Sequence, residues 1–436
     1  MSQGQVAAGT AKAESSEVRW RRVFTARPYI WFALLGFVLR AAVGLWASGY
    51  PKVLGNPYYF GFESGSIARS LFAGEGFSSP FTGATGPTAW VAPVYPLLIA
   101  VNFKIFGLFS QGAWNAMVLL NCLFAGLTCI PIYKICAHLG SKKAAAYAAL
   151  IWAATYSFFH WPTEWIWETS LTALLVTQLL WMSLQLGERP TLRKWTLFGL
   201  LWGVSALTNP GVLAVMPVLV LWPLYRARER GEQWLRPLVI VALLFVAIVA
   251  PWMVRNQRVF HKAVFIRSNL GFEFWLGNSP MMTGFDEFWK HPMVNNEERD
   301  AYVRMGEIAY IESRGGRARE WVKNNPGDFL KLTAKRVIYF WYGTPYYYAA
   351  GKWKVWDPEN FGFPLFSLLG LLGAGWALRT KVAGALPIAS VLLFYPAVYY
   401  ITYPNARYRH ALEPLLLALA VYLVSQAKLR RTTTTA

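Results

Sequence analysis

Charged residues are scarce in this sequence. Of its 436 residues only 15% are Asp, Glu, Lys or Arg, whereas 55% are hydrophobic. A soluble protein of this length needs a charged outer surface, so an ordinary soluble domain is excluded. The apolar residues also come in long blocks, such as PLVIVALLFVAIVAPW and PLLLALAVYLV. Blocks of this length cross, or nearly cross, a hydrocarbon layer of about 30 Å, and they predict an integral membrane protein.

Cysteine is nearly absent as well. Cys122, Cys129 and Cys136 recur every seven residues, which places them on one face of a helix. Neighbours in this series are separated by roughly 10 Å along the helix, too far for a disulfide. We interpret them as small packing residues. No His or Cys cluster has metal-ligand spacing, so the sequence predicts no cofactor but leaves a divalent metal open.

The apolar blocks predict an all-α polytopic membrane protein with about ten transmembrane helices, juxtamembrane helices and a small extracytoplasmic domain. The predicted spans lie near 29–47, 114–136, 144–160, 168–186, 195–208, 211–225, 237–253, 361–378, 384–401 and 411–426.

Basic residues give these spans an orientation. The net charge is +20, and much of it lies in short segments such as VRWRR, GERPTLRK, YRARERGEQWLR and AKLRR. Short loops rich in Lys and Arg are typical of the cytoplasmic side, so both termini are predicted to be cytoplasmic in a multi-pass plasma (inner) membrane protein. The first apolar block is interpreted as a retained signal anchor. No zinc-finger, RNA-binding or helix-turn-helix signature is present, so nucleic acid is excluded as a partner.

Two long segments, 48–113 and 254–360, then fall on the extracytoplasmic face. The apolar stretch 94–109 is predicted to lie in the interface, because a full crossing there would invert every later loop. The predicted organisation is a catalytic transmembrane module over 1–253, which includes the loop 48–113, an extracytoplasmic loop domain over 254–360, and C-terminal transmembrane helices over 361–436.

Three acids on that face are candidate catalytic residues. Glu63 follows an aromatic stretch that includes Tyr59 and precedes an amphipathic turn, where a carboxylate can act as a general base at the membrane surface. The alternative is a solvated loop acid. Glu164 and Glu168 share a helix face if the next span begins there, and paired carboxylates can orient a sugar. The alternative for them is favourable placement at a helix N-terminus.

Cationic residues on the same face are candidate substrate contacts, because guanidinium groups suit phosphate recognition. Arg40 is unusual, since it lies inside the first span, where a charge is costly and suggests function. The alternative for the group is snorkelling to lipid headgroups. The candidate substrate-binding residues are Arg40, Arg255, Arg267, Arg336, Arg407, Arg409, His410, Tyr59 and Asn278.

The chain resembles the GT-C glycosyltransferases, specifically the branch of protein O-mannosyltransferases and the lipid A aminoarabinose transferase. The resemblance lies in Glu63 with IARSLFAGEGF, then PTAWVAPVYPLLIA, ALTNPGVL, APWMVRNQRVF with SNLGFEFWLGN, and ARYRHALEP, in that order. It implies a GT-C fold and an inverting transfer from a polyprenyl-phosphate-linked sugar donor to a lipid, protein or glycan acceptor. Members of that branch carry an Asp in the first outer loop, often followed by a second acid; here Glu63 and Ser64 stand instead.

Two other functional classes compete with this interpretation. A ligase or polymerase of lipid-linked glycans shares the donor and the topology. A lipid or sugar flippase is less compatible with the sequence, because transporters often have internal repeats and charges at the midplane, whereas no repeat is visible here.

Overall fold

The structure is a computed structural model that describes residues 27–47, 57–280, 282–284, 288–343 and 358–434. Most residues in these ranges are helical, and the β-structure within them is limited to a single bridge between Ser78 and Pro87. The all-α prediction is confirmed.

The apolar helices pack into a bundle of antiparallel neighbours. In chain order they are α1 (Pro28–Ala47), α2 (Glu63–Phe72), α3 (Val94–Phe106), α4 (Gln111–Leu127), α5 (Cys129–Leu139), α6 (Lys142–Ala154), α7 (His160–Glu164), α8 (Thr169–Glu188), α9 (Leu192–Thr208), α10 (Met216–Glu229) and α11 (Leu235–Phe260). The remaining helices are α12 (Leu270–Gly277), α13 (Asn296–Met305), α14 (Glu307–Asn324), α15 (Pro326–Tyr342), α16 (Pro358–Arg379), α17 (Ala385–Phe394), α18 (Ala397–Ile401), α19 (Ala406–His410) and α20 (Glu413–Thr434).

Each of the ten predicted spans coincides with one or two of these helices. By length and composition, five helices of the described ranges are able to cross a membrane: Pro28–Trp46, Gln111–Leu139, Thr169–Glu188, Pro210–Glu229 and Leu235–Phe260. The others are shorter, so the number ten stays a prediction. The segment 94–109 forms the short helix α3, whose length of about 20 Å falls below the thickness of a hydrocarbon layer.

One predicted span is shorter than expected. The segment 144–160 stops being helical at Ala154, where Thr155 takes an extended conformation. The guanidinium of Arg40 donates to the carbonyls of Trp152 (2.6 Å) and Ala153 (3.2 Å), which the end of α6 leaves without helical partners. A buried cation at a helix C-terminus is favourable for the helix dipole, so Arg40 stabilises the end of α6.

The short turns between spans meet at one end of the bundle, here called the turn end. His138, at the end of α5, makes a 2.8 Å hydrogen bond with the carbonyl of Ala383, and Arg230 donates to the carbonyl of Gly187. Exposed basic residues such as Lys142 and Arg193 lie in the same turns. This is the end that the sequence predicts to be cytoplasmic.

The opposite end, here called the loop end, carries residues 57–93, 261–343 and 402–412. One hydrophobic cluster joins all three segments: Phe81 and Trp90 pack with Phe272, Tyr302 and Tyr403. The region 254–360, predicted as a domain of its own, therefore shares its core with the first loop and with the last one.

Buried Glu307 links the loops of this end. Its carboxylate accepts hydrogen bonds from Thr88 Oγ1, from the backbone N–H of Ala89 (2.7 Å), from Ser268 Oγ (2.7 Å) and from the hydroxyl of Tyr302 (2.7 Å). Burial raises the pKa of Glu307, and these hydrogen bonds act in the opposite direction. The network holds the segments 88–89 and 268 in a fixed relation to α14.

Candidate active site

A cavity of about 1340 Å³ lies at the loop end, between the first loop, the start of α8 and the segments 265–276 and 398–408. Three acids and two arginines line it, together with one histidine. They are Glu63, Glu168, Glu273, Arg267, Arg407 and His291.

Glu63 enters the cavity on an unusual piece of backbone. Gly61 and Phe62 both have positive φ angles, 82° and 52°, and Glu63 is then the first residue of α2. For a bulky residue such as Phe62 this conformation is strained and requires support from its surroundings. The support is aromatic, because the ring of Phe62 stacks on Trp167 at 5.5 Å between centroids and meets Phe288 edge-on at 5.4 Å.

The close approach of Gly61 to the segment between α7 and α8 gives a test of this arrangement. A Cβ atom at Gly61 would collide with the carbonyl oxygen of Ile166. We expect Gly61→Ala to destabilise the protein by about 2 kcal/mol or more, through strain and clash together. Gly83→Ala is the matched control, since Gly83 has a φ of 89° but open space around it. Thermal unfolding in detergent measures both; equal stabilities of the two variants would contradict a steric role for the Ile166 contact.

Glu63 is paired with His291. Nε2 of His291 lies 3.0 Å from Oε1 of Glu63, and the Glu63 side chain is 18% exposed, on the cavity side. Burial by itself raises the pKa of Glu63, but the hydrogen bond and electrostatic interaction with His291, and the charge of Arg407, outweigh it and hold this pKa below its usual value. Glu63 is therefore an ionised carboxylate at neutral pH.

Arg407 is the cation that acts on this carboxylate. Its guanidinium lies between two aromatic rings, 4.6 Å from the centroid of Trp167 and 4.8 Å from that of Tyr408. One terminal nitrogen donates to the Tyr408 hydroxyl at 2.9 Å, while Nε is buried without a partner among the described residues. The aromatic rings fix the plane of the guanidinium, and its other terminal nitrogen, which has no hydrogen-bond partner among the described residues, is the donor left for a ligand in the cavity.

Arg267 occupies another wall of the cavity. Its Nε donates to the carbonyl of Trp90 at 3.0 Å, and its terminal nitrogen is 3.9 Å from Glu273. Glu273 in turn accepts a hydrogen bond from the Tyr403 hydroxyl at 2.7 Å. The charge of Arg267 is thus partly balanced by Glu273, whereas Arg407 has no acid within ion-pair distance in the described ranges.

The two other candidate acids are separated by the fold. Glu164 ends the short helix α7, and its carboxylate pairs with Nδ1 of His160 at 3.1 Å, away from the cavity. Glu168 lies at the N-cap of α8 and lines the cavity. The chain is extended at Trp165 between them, so the condition for a shared helix face is not met.

Two of the predicted phosphate-binding arginines hold the polypeptide instead. Arg40 is fully buried among α1 and α6, as described above, and does not line the cavity. Arg255, near the end of α11, donates to the carbonyls of Thr88 (2.6 Å) and Phe77 (2.7 Å) of the first loop. Both guanidinium groups therefore bind backbone oxygen atoms in the structure.

Arg336, Asn278, Arg409 and His410 also lie outside the cavity lining. Arg336 is buried and donates to Asn278 Oδ1 (3.1 Å) and to the carbonyl of Gly277. Arg409 and His410 both contact the carboxylate of Glu413, at 2.8 and 2.6 Å, in the interior of the bundle. These interactions join helices and do not support a role in substrate binding.

Tyr59 packs against a separate hydrophobic cluster that includes Trp114, whose ring it meets edge-on. It does not line the cavity. Sequence reasoning missed His291 and Glu273. Glu273 stands within the quoted segment GFEFWLGN, but His291 stands alone in FWKHPM, and nothing local marks it as a partner of Glu63. Among the described residues no three His, Cys, Asp or Glu side chains form a metal site, and the question of a divalent metal stays open.

Comparisons with known proteins identify the fold and a family resemblance. The chain has the GT-C fold, shared with the oligosaccharyltransferase of Archaeoglobus fulgidus. The apo structure of that protein matches with a TM-score of 0.53 at 13% identity, covering 92% of this chain and 52% of that one. Its complex with an inhibitory peptide and a dolichol-phosphate matches with a TM-score of 0.51 at 14% identity, covering 92% and 51%. The chain therefore spans about half the length of these archaeal structures.

Residues 90–254 match the sequence model of the dolichyl-phosphate-mannose-protein mannosyltransferase family. The resemblance found in the sequence is thereby confirmed. ArnT from Cupriavidus metallidurans bound to undecaprenyl phosphate also matches, with a TM-score of 0.36 at 17% identity, covering 89% of this chain and 77% of that one. No curated protein sequence matches the chain.

Proposed function

We propose that this protein is an inverting glycosyltransferase that moves a sugar from a polyprenyl-phosphate donor to an acceptor hydroxyl. The observation that carries the proposal is the meeting of an ionised carboxylate, Glu63, and a cation with a terminal nitrogen unpaired among the described residues, Arg407, in one large cavity. The family match over 90–254 and the dolichol-phosphate bound by the archaeal protein of the same fold support this donor class.

The reaction is a direct displacement at the anomeric carbon. The acceptor hydroxyl gives its proton to the Glu63 carboxylate while its oxygen forms a bond to the anomeric carbon. The bond between that carbon and the phosphate oxygen breaks, and its electron pair leaves with the lipid phosphate. Attack from the side opposite the leaving group inverts the anomeric configuration.

Arg407 stabilises the departing phosphate. Negative charge grows on the phosphate oxygen as the bond breaks, and a guanidinium held in place by Trp167 and Tyr408 needs little reorganisation to meet it. Arg267 contributes positive charge from the other wall. Glu168 and Glu273, which also line the cavity, are placed to accept hydrogen bonds from sugar hydroxyls.

The loop end faces the extracytoplasmic side in this proposal, and the basic turns at the other end face the cytoplasm. The cavity then opens where the headgroup of a carrier lipid meets water. Both termini are cytoplasmic, and the protein resides in the plasma (inner) membrane. Residues 1–253 and 361–436 form the transmembrane part, and 254–360 form the extracytoplasmic part.

The experiment uses the purified full chain in lipid nanodiscs. It is incubated with a panel of polyprenyl phosphates, each carrying one sugar, together with a membrane lipid extract as acceptor, and release of the free lipid phosphate is followed by mass spectrometry. We expect one donor to be consumed with formation of a glycosylated product. If the donor moves between leaflets without any release of lipid phosphate, the glycosyltransferase proposal is rejected in favour of a flippase.

A further inference from the structure

His291 connects two distant parts of the chain at the catalytic base. It lies just after the short 3-10 helix Phe288–Lys290, and its residue surface is 5% exposed. Its ring is enclosed by aromatic rings, stacking on Phe288 at 5.1 Å and meeting Phe81 and Phe272 edge-on at 5.6 and 5.4 Å. The imidazole has little freedom to rotate, because three rings bound it.

The hydrogen bonds of His291 define where its proton lies. Nδ1 accepts the backbone N–H of Met293 at 3.2 Å, and Nε2 is 3.0 Å from Oε1 of Glu63. In the neutral imidazole one nitrogen accepts and the other donates. Since Nδ1 is the acceptor of the Met293 N–H, the proton is on Nε2 and points at Glu63.

This geometry separates the two oxygens of Glu63. Oε1 is occupied by the His291 donor, so Oε2 is the oxygen left for a substrate hydroxyl. Phe288, which stacks on His291, also meets Phe62, the strained residue before Glu63. The same aromatic contacts therefore fix the backbone of the base and the group that orients its side chain.

We propose that His291 is a positioning residue that holds the Glu63 carboxylate ionised and turned with Oε2 toward the acceptor hydroxyl. The part of this inference that concerns the acceptor hydroxyl rests on the proposed function.

A packing role for His291 makes a different prediction, and two variants separate the two roles. His291→Phe keeps a planar ring within the aromatic enclosure but removes the donor to Glu63. His291→Gln removes the ring but supplies an amide N–H that reaches the same carboxylate. If the hydrogen bond to Glu63 matters, His291→Gln is the more active of the two variants. If ring packing matters, His291→Phe is the more active one.

The pH profile of kcat/KM gives a readout that packing alone does not move. Its acid limb follows the pKa of the essential base in the free enzyme. In the wild type we expect this limb below the usual range of a glutamate, because the His291 hydrogen bond and the charge of Arg407 lower the Glu63 pKa. In His291→Phe we expect it to move up by about one pH unit, and we expect kcat to fall by up to about 100-fold. In His291→Gln we expect both the acid limb and kcat to lie close to their wild-type values.

A second measurement reports the pairing without turnover. Carbodiimide attacks protonated carboxyl groups, so the pH dependence of Glu63 labelling, measured by peptide mass spectrometry, gives its titration. The labelling midpoint should rise in His291→Phe and return toward the wild-type value in His291→Gln. His138→Gln is the matched control, because His138 forms a similar pair with Glu188 (3.2 Å) at the turn end, a helix length of about 30 Å away.

The outcomes distinguish this inference from the proposed function. If the labelling midpoint shifts in His291→Phe but the wild-type protein consumes no sugar donor, the pairing of His291 with Glu63 is supported and the proposed glycosyltransferase activity is rejected. Donor turnover that depends on Glu63, with an unmoved midpoint and an unmoved acid limb in folded His291→Phe, overturns the inference and keeps the enzyme. His291→Gln as inactive as His291→Phe, with both folded, also overturns it.

Discussion

Replacing Glu63 with Gln should lower kcat by about 10²–10⁴-fold, the usual contribution of a positioned general base. The amide has nearly the shape of the carboxylate and can still receive the His291 hydrogen bond through its carbonyl oxygen, so the fold is retained. What it loses is the ability to take the proton of the acceptor hydroxyl. Release of lipid phosphate from the donor, measured at saturating donor in nanodiscs, reports the change.

Glu75→Gln is the control for this substitution. Glu75 lies in the same loop, two residues after Ala73, the C-cap of α2. Its side chain is exposed and does not line the cavity. It should leave turnover near the wild-type rate. Wild-type activity in Glu63→Gln would remove Glu63 from the mechanism and leave Glu168 and Glu273, the other two acids that line the cavity, as the bases to test.

The second large effect is expected at Arg407. In the proposed mechanism Arg407→Gln removes the positive charge that meets the leaving phosphate, and loss of one such contact costs about 10²–10³ in kcat. The substitution should also weaken binding of a free polyprenyl phosphate, because the ground state already carries phosphate charge. Calorimetric titration with polyprenyl phosphate and turnover of the donor measure the two effects separately.

Two further variants define what Arg407 supplies. Arg407→Lys keeps the charge but not the planar group that lies between Trp167 and Tyr408, and we expect it to recover only part of the loss. Arg304→Gln is a charge-matched control on the exposed end of α13. If Arg304→Gln weakens donor use as much as Arg407→Gln does, general surface charge explains the effect and Arg407 has no specific contact.

Much of the bundle was predictable because the spans are read from local composition. Blocks such as 237–253 are apolar over most of their length, and α11 covers that segment and extends beyond it at both ends. The end of α6 was not predictable, since it depends on Arg40, whose guanidinium binds the carbonyls of Trp152 and Ala153 in another helix. Contacts between elements far apart in the chain leave no mark in local composition.

The site was predictable only in part, for the same reason. Glu63 and Arg407 stand in segments that the family resemblance singles out, and both line the cavity. Arg255 and Arg336 stand in equally suggestive segments, yet they bind backbone carbonyls. Sequence shows that a cation lies on one face of the membrane; it does not show whether the oxygen that satisfies it belongs to a ligand or to the polypeptide.

The cavity is assembled from segments that leave the ribosome at very different times. Glu63 is made first, His291 follows, and Arg407 is made last of the three. The hydrophobic cluster of the loop end is also completed late, because Phe81 and Trp90 are made well before Tyr302 and Tyr403. In the proposed mechanism, a nascent chain that has not yet made residues 402–412 therefore exposes the acid without its cation, and we expect it to be inactive.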